Sequence, residues 1–224
     1  MKTIIVACSL VAGLSIAGTV RAEMALTPAL GSTGASVHLT MPIEPNINAR
    51  IGVNGFNYSH SASTRSVDYD FKLKFNTFDA LVDWYPSDSL FRLSGGLAYN
   101  NTRIDAYGVS NTQNTYTLNG TVYNAASLGN LDGRADFRRI APYLGIGWGN
   151  PFAVQKGWSF SGDLGVYFMG SASTSLTHSN CALPTVAQCT QLTNDVAAEN
   201  ANLNDKARDY KYYPVLRVGA SYRF

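Results

Sequence analysis

Charged residues recur at every second position through much of this chain: Arg50, Asp70, Lys72, Lys74, Asp79, Asp83, Arg92, Asp163, Arg217 and Arg223. A period of two places such residues on one face of a β-strand and their neighbours on the other. Collected in one narrow interior, these groups have two uses. They pair into a polar plug, because an isolated buried charge is very costly. Alternatively they line a path in which Asp79, Asp83 and Asp163 attract cationic solutes such as basic amino acids. The signs are nearly balanced, so any charge selectivity along such a path is weak.

Catalytic chemistry finds little support. A hydrolytic triad needs a serine, a histidine and a carboxylate brought together by the fold. Of the three histidines, His38 is expected to point inward on an early strand, His60 lies in Ser59-His60-Ser61, and His178 sits in a late loop. Ser59 and His60 are adjacent, and adjacent residues of a strand point opposite ways. The chain has no Gly-x-Ser-x-Gly elbow and no His-Glu-x-x-His motif. The expectation is a protein without enzymatic activity and without a cofactor. Arg134, Arg138 and Arg139, at the end of a strand, either bind lipid phosphates or are solvated rim charges.

The elements that position these residues are strands, declared by alternation. Apolar residues alternate with polar or small ones over Ala35–Met41, Ile47–Val53, Tyr69–Phe75, Phe78–Trp84, Phe91–Tyr99, Ile140–Trp148, Trp158–Phe168 and Leu216–Phe224. Between Phe75 and Phe78 the phase slips by one residue, which predicts a β-bulge within a single strand. Pro142 predicts a local irregularity, since it lacks a backbone N–H. Short connections at 42–46, 86–89 and 149–157 alternate with long ones at 59–68, 101–133 and 171–209. That is the pattern of an up-and-down barrel with turns on one side and loops on the other. Parity then requires an eighth strand within Glu23–Leu30, weakened by Pro28.

Two long loops carry structure of their own. Asn119-Gly120 between Thr115–Leu118 and Thr121–Tyr123 predicts a hairpin projecting as a ribbon. After Cys189, Leu192, Val196, Ala197 and Leu203 recur at helical spacing and predict a short amphipathic helix. Trp84, Tyr85, Tyr99, Trp148, Trp158, Tyr212, Tyr213, Tyr222 and Phe224 fall near strand ends, as the aromatic girdles of a membrane barrel do. A soluble sandwich or lipocalin-like barrel is the competing architecture, with the same aromatics filling a core.

Lys2, the apolar run Ile4–Thr19 and the small residues Val20 and Ala22 read as a secretory signal cut after Ala22, leaving residues 23–224 as the barrel domain. Too little chain precedes Cys8 for it to be a lipidation site. Without Lys2 and Arg21 the 17 basic residues fall to 15, equal to the 15 acidic ones, so a nucleic-acid partner is not expected. Beyond the signal no run of 18 apolar residues occurs, so a membrane crossing has to be made by strands. Cys181 and Cys189 form an even pair in an exported chain and read as a disulfide clamping a loop with Pro184. A metal pair is the other reading, with His178 as the sole further ligand nearby.

Several phrases resemble known proteins. Gly31-Ser32-Thr33-Gly34, the run Ile140-Ala141-Pro142-Tyr143-Leu144-Gly145-Ile146-Gly147, Gly165-Val166-Tyr167, and Val218-Gly219-Ala220-Ser221-Tyr222-Arg223-Phe224 are similar to segments of small outer-membrane barrels of the OmpA, OmpX and OmpW type. They resemble most closely the porin family linked to carbapenem susceptibility and ornithine uptake. The resemblance implies an all-β, eight-stranded antiparallel transmembrane barrel with long extracellular loops. It also implies a bacterial outer-membrane location and permeation of small solutes. The terminal Tyr222 and Phe224 look like the signal read by the barrel-insertion machinery. Outer-membrane lipid, that machinery and small solutes are the partners this reading implies. A non-conducting barrel that presents its loops is the alternative.

Overall fold

The computed structural model describes residues 23–63, 68–86, 89–109, 115–153 and 155–224; the expected signal segment 1–22 lies outside them. Eight strands close into an antiparallel barrel: β1 (Ala25–Gly31), β2 (Gly34–Glu44), β3 (Ile47–Ser63), β4 (Asp68–Trp84), β5 (Phe91–Asn100), β10 (Ile140–Trp148), β11 (Gly157–Phe168) and β13 (Tyr212–Arg223). Each pairs with the next in this order, and β13 returns to β1. Closure leaves no edge with unpaired N–H and C=O groups, which is what a sheet needs in hydrocarbon. The weak first strand is present. Its ladder to β2 includes Pro28 opposite Val37, whereas its pairing with β13 skips Thr27 and Pro28.

The barrel is inverted relative to a water-soluble one. Its outer surface carries Leu30, Val53, Leu97, Leu144, Phe160, Leu164, Leu216 and Val218, each more than half exposed. Inside, Ser36, Thr40, Asn48, Asn54, Ser94, Ser161 and Ser221 are buried beside the charged residues. An apolar exterior around a polar interior is stable only when the exterior meets lipid. Trp84, Trp148, Trp158 and Tyr222 ring the end with the short turns; Tyr99, Phe168 and Tyr212 stand toward the other end. Trp158 packs on Tyr222 and Tyr222 on Phe224, with ring centroids 5.1 and 5.3 Å apart. From Trp148 up to Ile140 the tilted strand rises about 20 Å, matching the apolar band of a membrane barrel.

One sequence expectation fails here. No bulge interrupts β4: its register with β3 runs unbroken from Ile47 opposite Trp84 to Ser63 opposite Asp68. Inward residues stay odd-numbered, with Phe75, Thr77, Asp79, Leu81 and Asp83 all buried. What changes is the surroundings, because both strands run 17 residues and their outer parts stand beyond the barrel. There the outward face meets water, and the apolar set moves inward without any slip of the chain. The irregularity expected at Pro142 is one-sided: pairing with β5 is continuous through Pro142 opposite Leu97, but the ladder to β11 stops at Tyr143 although β11 runs on to Phe168.

Beyond the barrel β4 exchanges partners, pairing with β5 over 77–84 and with β6 (Arg103–Val109) over 68–74. β9 (Asn130–Asp136) and β12 (Ser173–Ser179) extend this sheet. The predicted hairpin forms as β7 (Thr115–Leu118) and β8 (Thr121–Asn124), with Asn119 and Gly120 both at positive φ, 49° and 82°, the left-handed values a tight hairpin turn requires. It is not a free ribbon. Tyr116, Leu118 and Tyr123 pack with Leu128 of α1 (Ala125–Leu128), Leu131 of β9, and Leu192 and Val196 of α2 (Val186–Ala207) into a second apolar core.

The helix α2 is longer than its Asn-rich sequence suggests, 22 residues, and starts before Cys189. Thr185 and Gln188 form a reciprocal capping box at its start. Asn204 then ties it to β12, accepting from Thr174 N at 2.8 Å and donating to Thr174 O at 3.2 Å. The Cys181–Cys189 disulfide, Cα–Cα 6.1 Å, staples the segment after β12 to the first turn of this helix.

Candidate functional site

The barrel interior gathers three arginines and three aspartates in two linked layers. Nearer the short turns, Arg50 of β3 reaches across to Asp163 of β11, Nη1 donating to Oδ2 at 3.0 Å and Nη2 to Oδ1 at 3.1 Å. The same Nη2 donates to Asp83 Oδ1 at 3.0 Å. Arg92 of β5 donates to Asp163 Oδ1 at 2.8 Å, to Ser161 Oγ at 3.2 Å and to the Gly149 carbonyl at 2.5 Å. Ser94 Oγ donates to Asp83 at 2.5 Å.

In the next layer Asp79 of β4 is the hub. Its Oδ2 accepts from Tyr167 at 2.6 Å, Asn54 at 3.0 Å and Arg217 at 3.1 Å, and its Oδ1 lies 3.2 Å from His38 Nε2. Arg217 also donates to the Tyr167 hydroxyl and to Thr33 Oγ1, and its guanidinium stands 5.8 and 5.7 Å from the Tyr143 and Tyr167 rings. Above lies an apolar layer of Phe75, Tyr143, Met169 and Val215, packed against Phe56 and Tyr213. Phe75 stacks with Phe56 at 5.5 Å and with Tyr213 at 4.9 Å. An interior this narrow is filled by its own side chains.

Of the residues expected in this network, Arg50, Asp79, Asp83, Arg92, Asp163 and Arg217 meet there. Lys72 and Lys74 do not: they sit on the water-facing side of β4 beyond the barrel, with the Lys72 ammonium 5.0 Å from the Tyr107 ring centroid. They share sequence phase with one another but not with Asp79, whose parity is odd. The side chain of Asp70 lies outside the described residues, as does that of His60. Arg223 stands at the short-turn rim, paired with Glu23 at 2.6 Å and donating to the Phe152 carbonyl at 3.2 Å. Arg134 pairs with Asp105 at 3.3 Å on the outer sheet, away from Arg138 and Arg139. His178 contacts Thr193 at 3.1 Å.

Comparison with solved structures fits this geometry. CarO2 of Acinetobacter baumannii aligns with a TM-score of 0.56 at 22% identity, over 91% of this chain and 99% of that one. CarO of the same organism aligns with a TM-score of 0.53 at 23% identity, over 91% and 98%. The chain shares their fold. No protein-family model matches it, and no curated protein matches it in sequence.

Reading charges alone misses the aromatic and glycine members of this barrel's interior. Tyr143 and Tyr167 lie on the inward phase, and a tyrosine on a polar phase was the available signal. Glycines are less legible. Gly52 is opposite His38 in register, and a Cβ there would lie 2.1 Å from the imidazole. Gly147 is opposite Arg92, where a Cβ would lie 2.6 Å from the guanidinium Nε. Each large inward group lies flat across a neighbouring strand because its partner there has no side chain.

Asp195 of α2 accepts from Tyr123 at 2.5 Å, from Asn119 at 3.1 Å and from Gln191 at 3.1 Å. These bonds hold its carboxyl below the usual carboxylate range, and burial together with the bond to Asp195 pushes the Tyr123 hydroxyl up to about 12.

Proposed function

We propose that this protein is a bacterial outer-membrane barrel with a closed lumen, which acts through the ordered module on its long-loop side. The observation carrying this reading is the ion network that crosses the interior, where Arg92 and Arg217 are only 2% and 1% exposed. With three cations set against three anions, the lumen presents no ring of unpaired carboxylates among the described residues to attract a solute. Residues 1–22 serve as its export signal, and Tyr222 with Phe224 as the segment read on insertion. The reading is non-catalytic, since His38 is held by Asp79 and Arg217. Full-length mature protein in planar bilayers is expected to pass no current above background; reproducible step conductance would overturn a closed lumen.

A second reading, a narrow passage for small cationic or amino-acid solutes, is favoured by one feature. The Tyr143 hydroxyl is buried in the lumen with no hydrogen-bond partner among the described residues, which suits a hydrated interior. Uptake of small amino acids into proteoliposomes tests it. Entry that falls when Asp79, Asp83 and Asp163 are changed to Asn would support the passage, and no entry at all would sink it.

A further inference from the structure

Gly95 and Gly162, on the outer face of the barrel, differ from the inward glycines Gly52 and Gly147. A Cβ at inward Gly52 or Gly147 would collide with a packed side chain. Gly95 of β5 and Gly162 of β11 instead alternate with Leu93, Leu97, Phe160 and Leu164 on the outer face, where their nearest neighbours would lie 3.5 and 3.6 Å from an added Cβ. Those are ordinary contacts, so neither position needs glycine for packing. The missing side chain of Gly162 opens the exterior, and Gly95 lies beside Leu144. A furrow of about 630 Å³ lies between Leu93, Leu144, Val166 and Pro214, and one of about 330 Å³ between Phe160, Trp148, Leu216 and Val218. Both are bounded by Ile146 and Leu164, a registered pair, so they abut.

Above the long-loop end of these same strands stand Arg138 and Arg139, just before β10, and Lys211, just before β13; all three are exposed. Arg138 lies across Gly170 at the top of β11, its Nε 3.0 Å from where a Cβ would be. Of the acids nearby in sequence, Asp136 pairs with Arg103 and Asp205 with Arg208, which leaves Asp209 against the three cations. The Phe168–Tyr212 edge contact, 5.5 Å, marks the interface between this rim and the furrow.

We propose that this face binds one acylated diphosphoryl glycolipid, of the lipid A type, with an acyl chain in the furrow and phosphate at the rim. Three cations call for more than the single charge of an ordinary phospholipid phosphate, and guanidinium groups match phosphate in shape as well as sign. The proposal rests on the membrane-barrel reading above.

The test is native mass spectrometry of the full mature chain in detergent with added diphosphoryl lipid A, beside monophosphoryl lipid A and phosphatidylglycerol. A one-to-one adduct preferring the diphosphoryl lipid is expected. Arg138→Ala with Arg139→Ala should weaken it by about tenfold or more. Gly162→Leu with Gly95→Leu should weaken it while leaving the rim unchanged. Equal adducts with all three lipids, or adducts unmoved by both pairs of substitutions, would overturn the site. Flotation with liposomes separates the two readings: a chain that inserts yet gives no adduct removes the lipid site alone, whereas a chain that fails to insert removes the membrane reading as well.

Discussion

Arg50 and Asp163 meet across the barrel as a two-bonded fork although 113 residues separate them, with N···O distances of 3.0 and 3.1 Å. The pair joins β3 to β11, which are not neighbours in the sheet, so it braces the barrel across its diameter. Asp163 also neutralises Arg92, so its loss removes the nearest carboxylate of Arg92 and one of the two that hold Arg50, leaving Asp83 alone against two buried guanidinium groups. Asp163→Asn should therefore lower stability by about 3–5 kcal/mol, read from urea unfolding in detergent. A loss below about 1 kcal/mol would mean the lumen is wet enough to screen both arginines.

Gly52→Ala places a methyl 2.1 Å from the His38 ring, which is wedged against Asp79 and Arg217. The expected cost is about 1–3 kcal/mol, as for overpacking of a filled core. Gly95→Ala, on the lipid face with ordinary contacts, is the control and should change the unfolding midpoint little.

The staple between Cys181 and Cys189 spans only 8 residues of sequence. Loop-closure entropy for so short a span gives it about 2–3 kcal/mol, all of it within the outer module. Changing both cysteines to serine should speed proteolysis around the start of α2 and leave the barrel folded, read from its migration on a gel without boiling. Loss of the barrel itself would show that module and barrel fold as one unit.

The Tyr123–Asp195 bond sets a pH window for the same module. The lowered Asp195 carboxyl contributes stability that is present above its unfolded value of about 3.9 and lost as pH falls through the folded one. Tyr123, raised to about 12, contributes stability that is full below its unfolded value of about 10 and lost as pH climbs toward 12. Hydrogen-exchange protection factors of α2 and the β7–β8 hairpin, taken relative to the intrinsic rate at each pH, should be highest on a plateau between these limits, and Tyr123→Phe should remove the alkaline limb. An alkaline limb that persists in that variant would assign it to another group.

Alternation alone determined most of the barrel. Ile140–Trp148 and Leu216–Phe224 declare their faces because a strand's side chains have a period of two, and lipid outside with polar groups inside makes both phases visible. The lengths of the connections, the Asn119-Gly120 turn and the pairing of Cys181 with Cys189 were legible for similar local reasons. Tertiary structure decided the rest. Lys72 and Asp79 both alternate with apolar residues, yet one meets water and the other a buried arginine, because β4 leaves the membrane between them. Alternation reports that two faces differ, but what each face touches depends on how far the strand extends past its neighbours. Likewise α2 is helical because Leu192 and Val196 found an apolar core contributed by β7, β8 and β9, contacts whose partners lie some 60 to 80 residues away in sequence. And the charges of the lumen become a network only on closure, when β13 meets β1 and brings Arg217 within reach of Asp79.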